Sequence, residues 1–541
     1  MRSLVLLVCV VLLGACGGDD GGGEDEPDGG VIDEPAELDL TLREQVTLME
    51  DRTLTSAELT AGYRARIDRL EPMLEAFVLF ADDADAVAAS VDAQRGEGAL
   101  LQGAVFAVKD NIDTANLATT AGSVAMSQNV PTVDAPVVAK LRAANAVMIG
   151  KANLSEWANF RGYRSTSGWS SRGGQTNHAL VTAYNPCGSS SGSAVAVKAN
   201  MVSAALGTET SGSVICPAAI NGIVGFKPTV GLVSRTGVIP VADSYDTIGP
   251  MTRTVGDAAR VMRVIAGPDP LDPASAAIPT GFDYDFEAAL STDLAGVRIG
   301  VVRNLGHKQA VKAVFEAEIM RLAAAGAVLV DVELPDPFGM AAQEFFTDLY
   351  QVEIHEFKTL IESYLDTHPS AGRASLADLI AYNAANTGLV LPYFGQEVFI
   401  DAQATGGKLA QAYLDAKPRV DAFAYENGIL AALDGNNLAM LISPSEDQAW
   451  LTNHSTGDLY SGASSSWYPA AAGSPHLTVP MGMVSGLPVG MSFYGRRFDD
   501  VRVLSIGYAY EQLRGAARTA LPDFGESPPV RRIPRTMAIG R

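Results

Sequence analysis

Cys187-Gly188-Ser189-Ser190-Ser191-Gly192-Ser193 and Gly207-Thr208-Glu209-Thr210-Ser211-Gly212-Ser213-Val214 are two Gly/Ser loops, with Ser189 and Ser213 24 residues apart. Either loop alone reads as ordinary turn chemistry. Their flanks say more. The first runs into the small apolar stretch Ala194-Val195-Ala196-Val197, and the second into Cys216-Pro217-Ala218-Ala219-Ile220. Backbone N–H groups at such helix starts can bind an anion. Glycines between buried elements allow the close backbone approach that an oxyanion site needs. Upstream, Val105-Phe106-Ala107-Val108 reads as a buried strand ending on Lys109, with Asp110 next. Neighbouring side chains on a strand point to opposite faces, so Asp110 is expected to face away from the Lys109 amine.

Working outward, residues 42–80 read as helical. Thr55-Ser56-Ala57-Glu58 supplies a start signal, and Leu59, Tyr63, Ile67 and Leu70 form one stripe. Residues 132–143 and then Val147-Met148-Ile149-Gly150 suggest a helix feeding a strand. Ala194 to Leu206 reads as helix, and Gly207 to Pro217 as loop. Val297–Val302 and Val328–Val332 flank a helical stretch, which is a βαβ pattern. Residues 336–435 are mainly helical, and no Pro/Gly linker sets them apart. The class is therefore α/β, with one large domain from 41 to 541 carrying a variable helical elaboration at about 336–435.

The stretch from Asn185 to Pro240, with Lys109 upstream, resembles the amidase signature family. Gly225-Phe226-Lys227-Pro228-Thr229-Val230-Gly231, Asp246-Thr247-Ile248-Gly249-Pro250-Met251 and Leu477-Thr478-Val479-Pro480-Met481-Gly482 fit the same pattern. The resemblance spans roughly residues 50–515. Asn153 to Gly162 and Ser167-Gly168-Trp169 are most similar to bacterial peptide amidases. The resemblance implies a central mixed β-sheet flanked by helices and hydrolysis of linear amides to acid and ammonia, with C-terminal peptide amides as a candidate substrate. It implies Ser213 as nucleophile, Ser189 as proton relay after a cis Gly188–Ser189 peptide, and Lys109 as base. Backbone N–H groups of Thr210, Ser211, Gly212 and Ser213 would form the oxyanion hole. Cys187, Ser191 and Ser211 depart from the family's glycines.

This chemistry requires Lys109 to be neutral, hence buried and without a carboxylate contact. An α/β-hydrolase elbow is the competing reading of Gly188-Ser189-Ser190-Ser191-Gly192, with Ser190 as nucleophile. It lacks a good preceding strand and a histidine in a telling context. A further alternative is the amidotransferase subunit that supplies ammonia for tRNA-dependent amidation, which shares the signature. Trp157 and Phe160 are candidate substrate contacts, as are Trp169 and Tyr184; core packing is an equal reading for each. Asp246 and Arg253 read as supports around the site or as plain surface charges. Cys187 and Cys216 read as buried thiols, with a bond between them the minority alternative.

Composition narrows the remaining classes. Of the 541 residues, 47% are hydrophobic and 19% charged, which suits a large globular core. Net charge is −23, and residues 17–40 hold ten acids and no base; subtracting those ten leaves −13. No basic run exists, so nucleic acid is not an expected partner. No Cys/His cluster has metal-ligand spacing, so neither a metal nor another cofactor is expected. Met1 to Ala15 reads as a secretory leader: Arg2, then ten apolar residues from Leu4 to Leu13, too few to span a bilayer. Leu13-Gly14-Ala15-Cys16 resembles a bacterial lipobox. The expectation is export and lipid anchoring at Cys16 on the cell envelope, with an acidic Gly-rich tether over 16–40. Membrane contact would be through that anchor only.

Overall fold

In the computed structural model, residues 35–94 and 98–515 are described. The leader and most of the tether lie outside them. The tether's expected end moves forward. Ala36–Asp39 forms a 3-10 turn, and Leu38 is fully buried. Gly62 makes room for it: a Cβ there would lie 2.9 Å from Leu38 Cδ2. Asp39 pairs with Arg66 at 2.7 Å. An apolar slot and an ion pair thus fix residues 36–40 to the body, and the described residues from Ala36 onward form one unit.

Thr41 and Thr55 cap α1 (Leu42–Glu50) and α2 (Ser56–Leu74), each in a capping box with the glutamate three residues on. Leu59, Tyr63, Ile67 and Leu70 all turn inward. The helical expectation fails beyond Glu75, whose left-handed backbone ends α2. Phe77–Phe80 is β1, an apolar run whose aromatic and branched residues favour a strand over another helical turn.

The expected strand upstream of the serine loops is β2 (Val105–Lys109), and α3 (Pro136–Ala143) feeds β3 (Val147–Ala152). The expected helix over 194–206 splits. Its first part is α4 (Ser191–Lys198), Asn200 adopts a left-handed conformation, and Ala204–Glu209 is β4. A central strand buried on both faces shows no alternation, which is why small apolar residues there read as helix. The expected loop over 207–217 shrinks to 210–214, because α5 (Ile215–Asn221) starts within it.

The remaining strands of the main sheet are β5 (Val224–Lys227), β6 (Thr247–Thr252), β7 (Arg298–Val302), β8 (Val328–Val332), β9 (Met440–Pro444), β10 (His476–Val484) and β11 (Leu487–Tyr494). They form one mixed eleven-stranded sheet in the order β1-β3-β2-β4-β6-β5-β10-β11-β9-β7-β8. The predicted βαβ unit is present: β7 and β8 are parallel, with α6 (Gln309–Ala324) between them. Residues 340–435 are helical, led by α7 (Met340–Thr367). Among the described residues, no helix is long and apolar enough to cross a membrane.

Alternation along β2 sets up the site. Phe106 and Val108 enter the core on one face of the sheet; Val105 and Ala107 enter the core on the other, with α2 and α4. Lys109 continues the second series, so its amine meets the loop at the start of α4.

Candidate active site

Lys109 has no exposed surface. Its Nζ lies 2.7 Å from Ser189 Oγ, 3.0 Å from Ser190 Oγ, 2.8 Å from Thr208 Oγ1 and 3.1 Å from Thr208 O. None of these four atoms is a carboxylate. Burial dominates and pulls the amine from 10.5 down to about 7, against the smaller opposing fields of Asp246 and Glu209. The expectation for Asp110 holds. Its carboxylate accepts hydrogen bonds from the Thr120 hydroxyl and the Gly122 N–H, and it feels the positive charges of a second buried lysine, Lys151, at 3.9 Å, and of Arg172. Lys151 is held at about 8 by burial and donates to Thr119 Oγ1 and the Ile112 carbonyl. Sequence reading misses it, because a lysine inside a strand carries no local mark of its depth.

Two serines reach Lys109, and their other bonds separate them. Ser190 Oγ donates to the Thr208 carbonyl at 3.0 Å and accepts from the Thr208 N–H at 3.2 Å. That hydroxyl is committed to bracing β4. Ser189 Oγ has Lys109 as its hydrogen-bond partner among the described residues and follows a cis Gly188–Ser189 peptide. The geometry therefore disfavours Ser190 as the nucleophile of a hydrolase elbow. The loop fits tightly: a Cβ on Gly192 would lie 2.2 Å from the Ala76 carbonyl oxygen and 2.6 Å from Asn153 N. No side chain fits there.

Ser213 follows β4 and is 9% exposed, whereas Ser189 is fully buried. Among the described residues no hydrogen bond joins the two hydroxyls. The backbone joins the loops instead, with Ser190 N–H donating to the Ser213 carbonyl at 3.2 Å. Glu209 braces the turn from beneath, accepting from Val214 N–H at 2.8 Å and Ile215 N–H at 3.0 Å. The Gly212 N–H also faces this carboxylate, whose pKa burial raises and Lys227 partly lowers.

The cysteines correct the sequence reading. Cys187 and Cys216 form a disulfide rather than two thiols, because the two loops bring Cα atoms 29 residues apart in sequence to 6.0 Å. Thr210 Oγ1 donates to Asp246 at 2.6 Å, and Asp246 also accepts from Val241 and Ala242 N–H. Asp246 is thus a support of the site, as expected. Arg253 is not. It bonds the Leu40 and Val202 carbonyls and ties the chain's first elements to the sheet. Ser211, the hydroxyl where the family has glycine, donates to Glu353 of α7 at 3.1 Å. Burial, Asp246 and Glu356 push Glu353 up to about 8. An isolated glutamate in a polar-faced helix gives no sequence signal of this contact.

Trp157 and Phe160 are buried. Trp157 is 2% exposed and packs edge-on against Phe399; Phe160 packs against Phe357 of α7. Both belong to the apolar core of the helical layer, where burial of ring area outweighs exposure to a substrate. Trp169 packs against Tyr393 and Phe394. Tyr184 pairs by backbone with Leu451 and packs beside the disulfide. Arg161 is fully buried, lies over the rings of Trp169 and Phe394, pairs with Glu156 at 3.0 Å and donates to the carbonyls of Val390, Phe394 and Gly395.

The chain has clear relatives. The family model described as "Amidase" matches residues 58–504. A probable amidase of Arabidopsis thaliana is 36% identical over 488 residues, 88% of this chain and 90% of that protein. A glutamyl-tRNA(Gln) amidotransferase subunit of Roseiflexus sp. is 34% identical over 515 residues, 90% and 99% of the two chains. Among solved structures, a peptide amidase in complex with the competitive inhibitor chymostatin superimposes with a TM-score of 0.84 at 45% identity, covering 88% of this chain and 98% of that one. Native peptide amidase from Stenotrophomonas maltophilia gives 0.82 at 44%, covering 87% and 96%.

Proposed function

This chain belongs to the amidase family and hydrolyses amide bonds, and on that premise we propose that it takes C-terminal peptide amides to the free acid and ammonia. The observation that carries the mechanism is the buried Lys109 amine, held at about 7 and 2.7 Å from the Ser189 hydroxyl. In its neutral form the amine has one lone pair, which accepts the Ser189 proton, while its two N–H bonds are shared among Thr208 O, Thr208 Oγ1 and Ser190 Oγ. Ser189 in turn accepts the proton of Ser213 as that oxygen attacks the substrate carbonyl. Backbone N–H groups of Thr210, Ser211, Gly212 and Ser213 hold the oxyanion; Gly212 shares its N–H with Glu209, so the others carry more of the charge. The proton returns along the same path to the departing nitrogen, which leaves as ammonia. Water then cleaves the Ser213 ester.

The peptide substrate rests on the 44–45% identity to two peptide amidase structures across nearly the whole chain. The similarity to amidotransferase subunits sustains a second reading, in which the ammonia is passed to a partner. One experiment separates them: ammonia release by the isolated chain from peptide amides, aliphatic amides, aryl amides and glutamine. Turnover of peptide amides without partner or tRNA is expected, lost in Ser213→Ala. Release from glutamine alone would overturn the peptide reading, and full activity in Ser213→Ala would overturn the mechanism.

The leader supports a cellular placement as part of the proposal: export and anchoring through lipid on Cys16. Its support is the sequence from Met1 to Cys16. The full-length chain is expected in the membrane fraction, and Cys16→Ala in the soluble fraction; equal distribution of the two would refute the anchor.

A further inference from the structure

The disulfide sits where the proposed chemistry needs registration. Cys187 is two residues before Ser189, and Cys216 is three after Ser213. Each half-cystine is fixed to its own loop. Cys187 N–H donates to Asn185 Oδ1 at 2.8 Å, and its carbonyl accepts from Ser191 Oγ at 2.6 Å. Cys216 N–H donates to the Gly212 carbonyl at 2.8 Å. The bond therefore joins two braced pieces, and a displacement of one carries the other with it. Hydrogen bonds also cross between the loops, from Ser190 N–H to Ser213 O at 3.2 Å, from Ser190 Oγ to Thr208 O at 3.0 Å, from Thr208 N–H to Ser190 Oγ at 3.2 Å and from Asn221 Nδ2 to Pro186 O at 3.0 Å. All join neutral groups, and the Ser190–Thr208 pair holds the foot of β4 rather than the turn that carries Ser213. None fixes the separation of the Ser189 and Ser213 side chains as a covalent tie does.

We propose that the Cys187–Cys216 disulfide is a positioning element for catalysis, holding the nucleophile loop in register with the relay loop, so that its reduction uncouples Ser213 from Ser189 while the fold persists. The inference rests on the amide-hydrolysis mechanism above. The fold has other holds: the eleven-stranded sheet and its two faces of core do not pass through this bond. The two sulfurs lie in a small apolar cluster with Ile220, Ala449 and Leu487, and both residues are buried, 6% and 5% exposed. Reduction therefore takes excess dithiol, and its completeness is measured directly. In that step the S–S bond breaks and two S–H bonds form. Two electrons and two protons come from the dithiol, which closes to its own cyclic disulfide.

The test uses the full chain, oxidised and after dithiothreitol treatment, with alkylation and peptide mass analysis establishing that Cys187 and Cys216 are both reduced. Three readouts are taken: kcat and KM for ammonia release from a peptide amide, the rate at which a fluorophosphonate probe labels Ser213, and the thermal unfolding midpoint. A misplacement of about 1 Å costs about 100-fold in rate. The expected result is a 10- to 100-fold fall in kcat with KM within about threefold, a parallel fall in labelling, a midpoint still above the assay temperature, and recovery on reoxidation. The double variant Cys187→Ala/Cys216→Ala is expected to show the same low kcat, unaffected by dithiothreitol. Unchanged kcat and labelling in fully reduced protein would overturn the proposal. So would loss of activity only where the midpoint falls below the assay temperature. If the oxidised chain releases ammonia from no amide, the amidase mechanism fails, and Ser213 labelling still decides whether the bond positions the nucleophile.

Discussion

Replacing Lys109 by methionine is expected to destroy activity and stabilise the protein at neutral pH. An amine free in the unfolded chain titrates at 10.5, and burial lowers it to about 7 in the fold. Because the unfolded state binds more protons between those values, the group costs stability below 10.5, and the cost is complete below 7. For one such group the cost is about 4 kcal/mol at pH 7 and about 2 kcal/mol at pH 9. Methionine keeps the length of the side chain and removes this cost at every pH. It also removes hydrogen bonds, but Ser190 and Thr208 bond each other and Asn111 bonds Thr208 Oγ1. Ser189 alone is left without a partner, at about 1–3 kcal/mol. The net is a gain of about 2 kcal/mol at pH 7 that shrinks to about zero at pH 9. Urea unfolding of both proteins at the two pH values measures it. A difference in stability that does not change between pH 7 and 9 would refute the neutral-amine argument, whatever the variant's activity. Ammonia release is expected to fall by about 100- to 10,000-fold, the contribution of a positioned base.

The same amine shapes the rate. kcat/KM is expected to fall about tenfold from pH 8 to pH 6, since only the neutral form of a group at about 7 accepts a proton; a flat profile there would exclude Lys109 as base. An alkaline limb near 8 is expected from Glu353, whose ionisation puts negative charge beside Ser211 and the developing oxyanion; Glu353→Gln should remove that limb and leave the acid one. Ser189→Ala should lower kcat by at least about 100-fold with little change in unfolding midpoint, while Ser190→Ala, which strips the buried Thr208 N–H of its acceptor, should cost about 1–3 kcal/mol of stability. Arg161→Met should cost about 3–5 kcal/mol by stranding the buried Glu156, read as a drop in urea midpoint.

What the sequence reveals is local or periodic. The capped stripe of α2, the β7–α6–β8 unit and the strand that delivers Lys109 are written in patterns a few residues long. The two serine loops stand out by composition. What stays hidden depends on distance through space. Ala204–Leu206 reads as helix because a strand buried on both faces lacks the alternation that marks a half-exposed one, and Phe77–Phe80 reads as helix because four apolar residues are too few to show a period. Thr208 lies in the second serine motif, yet its role in holding Lys109 depends on where β4 stands beside β2. Glu353 is 142 residues from the serine it meets, and nothing around it marks that meeting. Trp157 and Phe160 read as substrate contacts because of their neighbourhood in sequence; helices more than 190 residues later cover them.

The order of strands has a consequence for how the molecule comes into being. β10 and β11, residues 476–494, stand between β5 and β9. A chain interrupted between 444 and 476 therefore holds two sheet fragments, one built from residues 77–252 and one from 298–444, each with a bare hydrogen-bonding edge where the last hairpin should join them. The last hairpin is the keystone. Until it arrives, the fragment bearing Lys109, Ser189 and Ser213 has no mate across the sheet, and its open edge waits from residue 252 to residue 476 of the growing chain. Completion is then all at once, which makes truncations near the carboxyl end far more damaging than their length suggests.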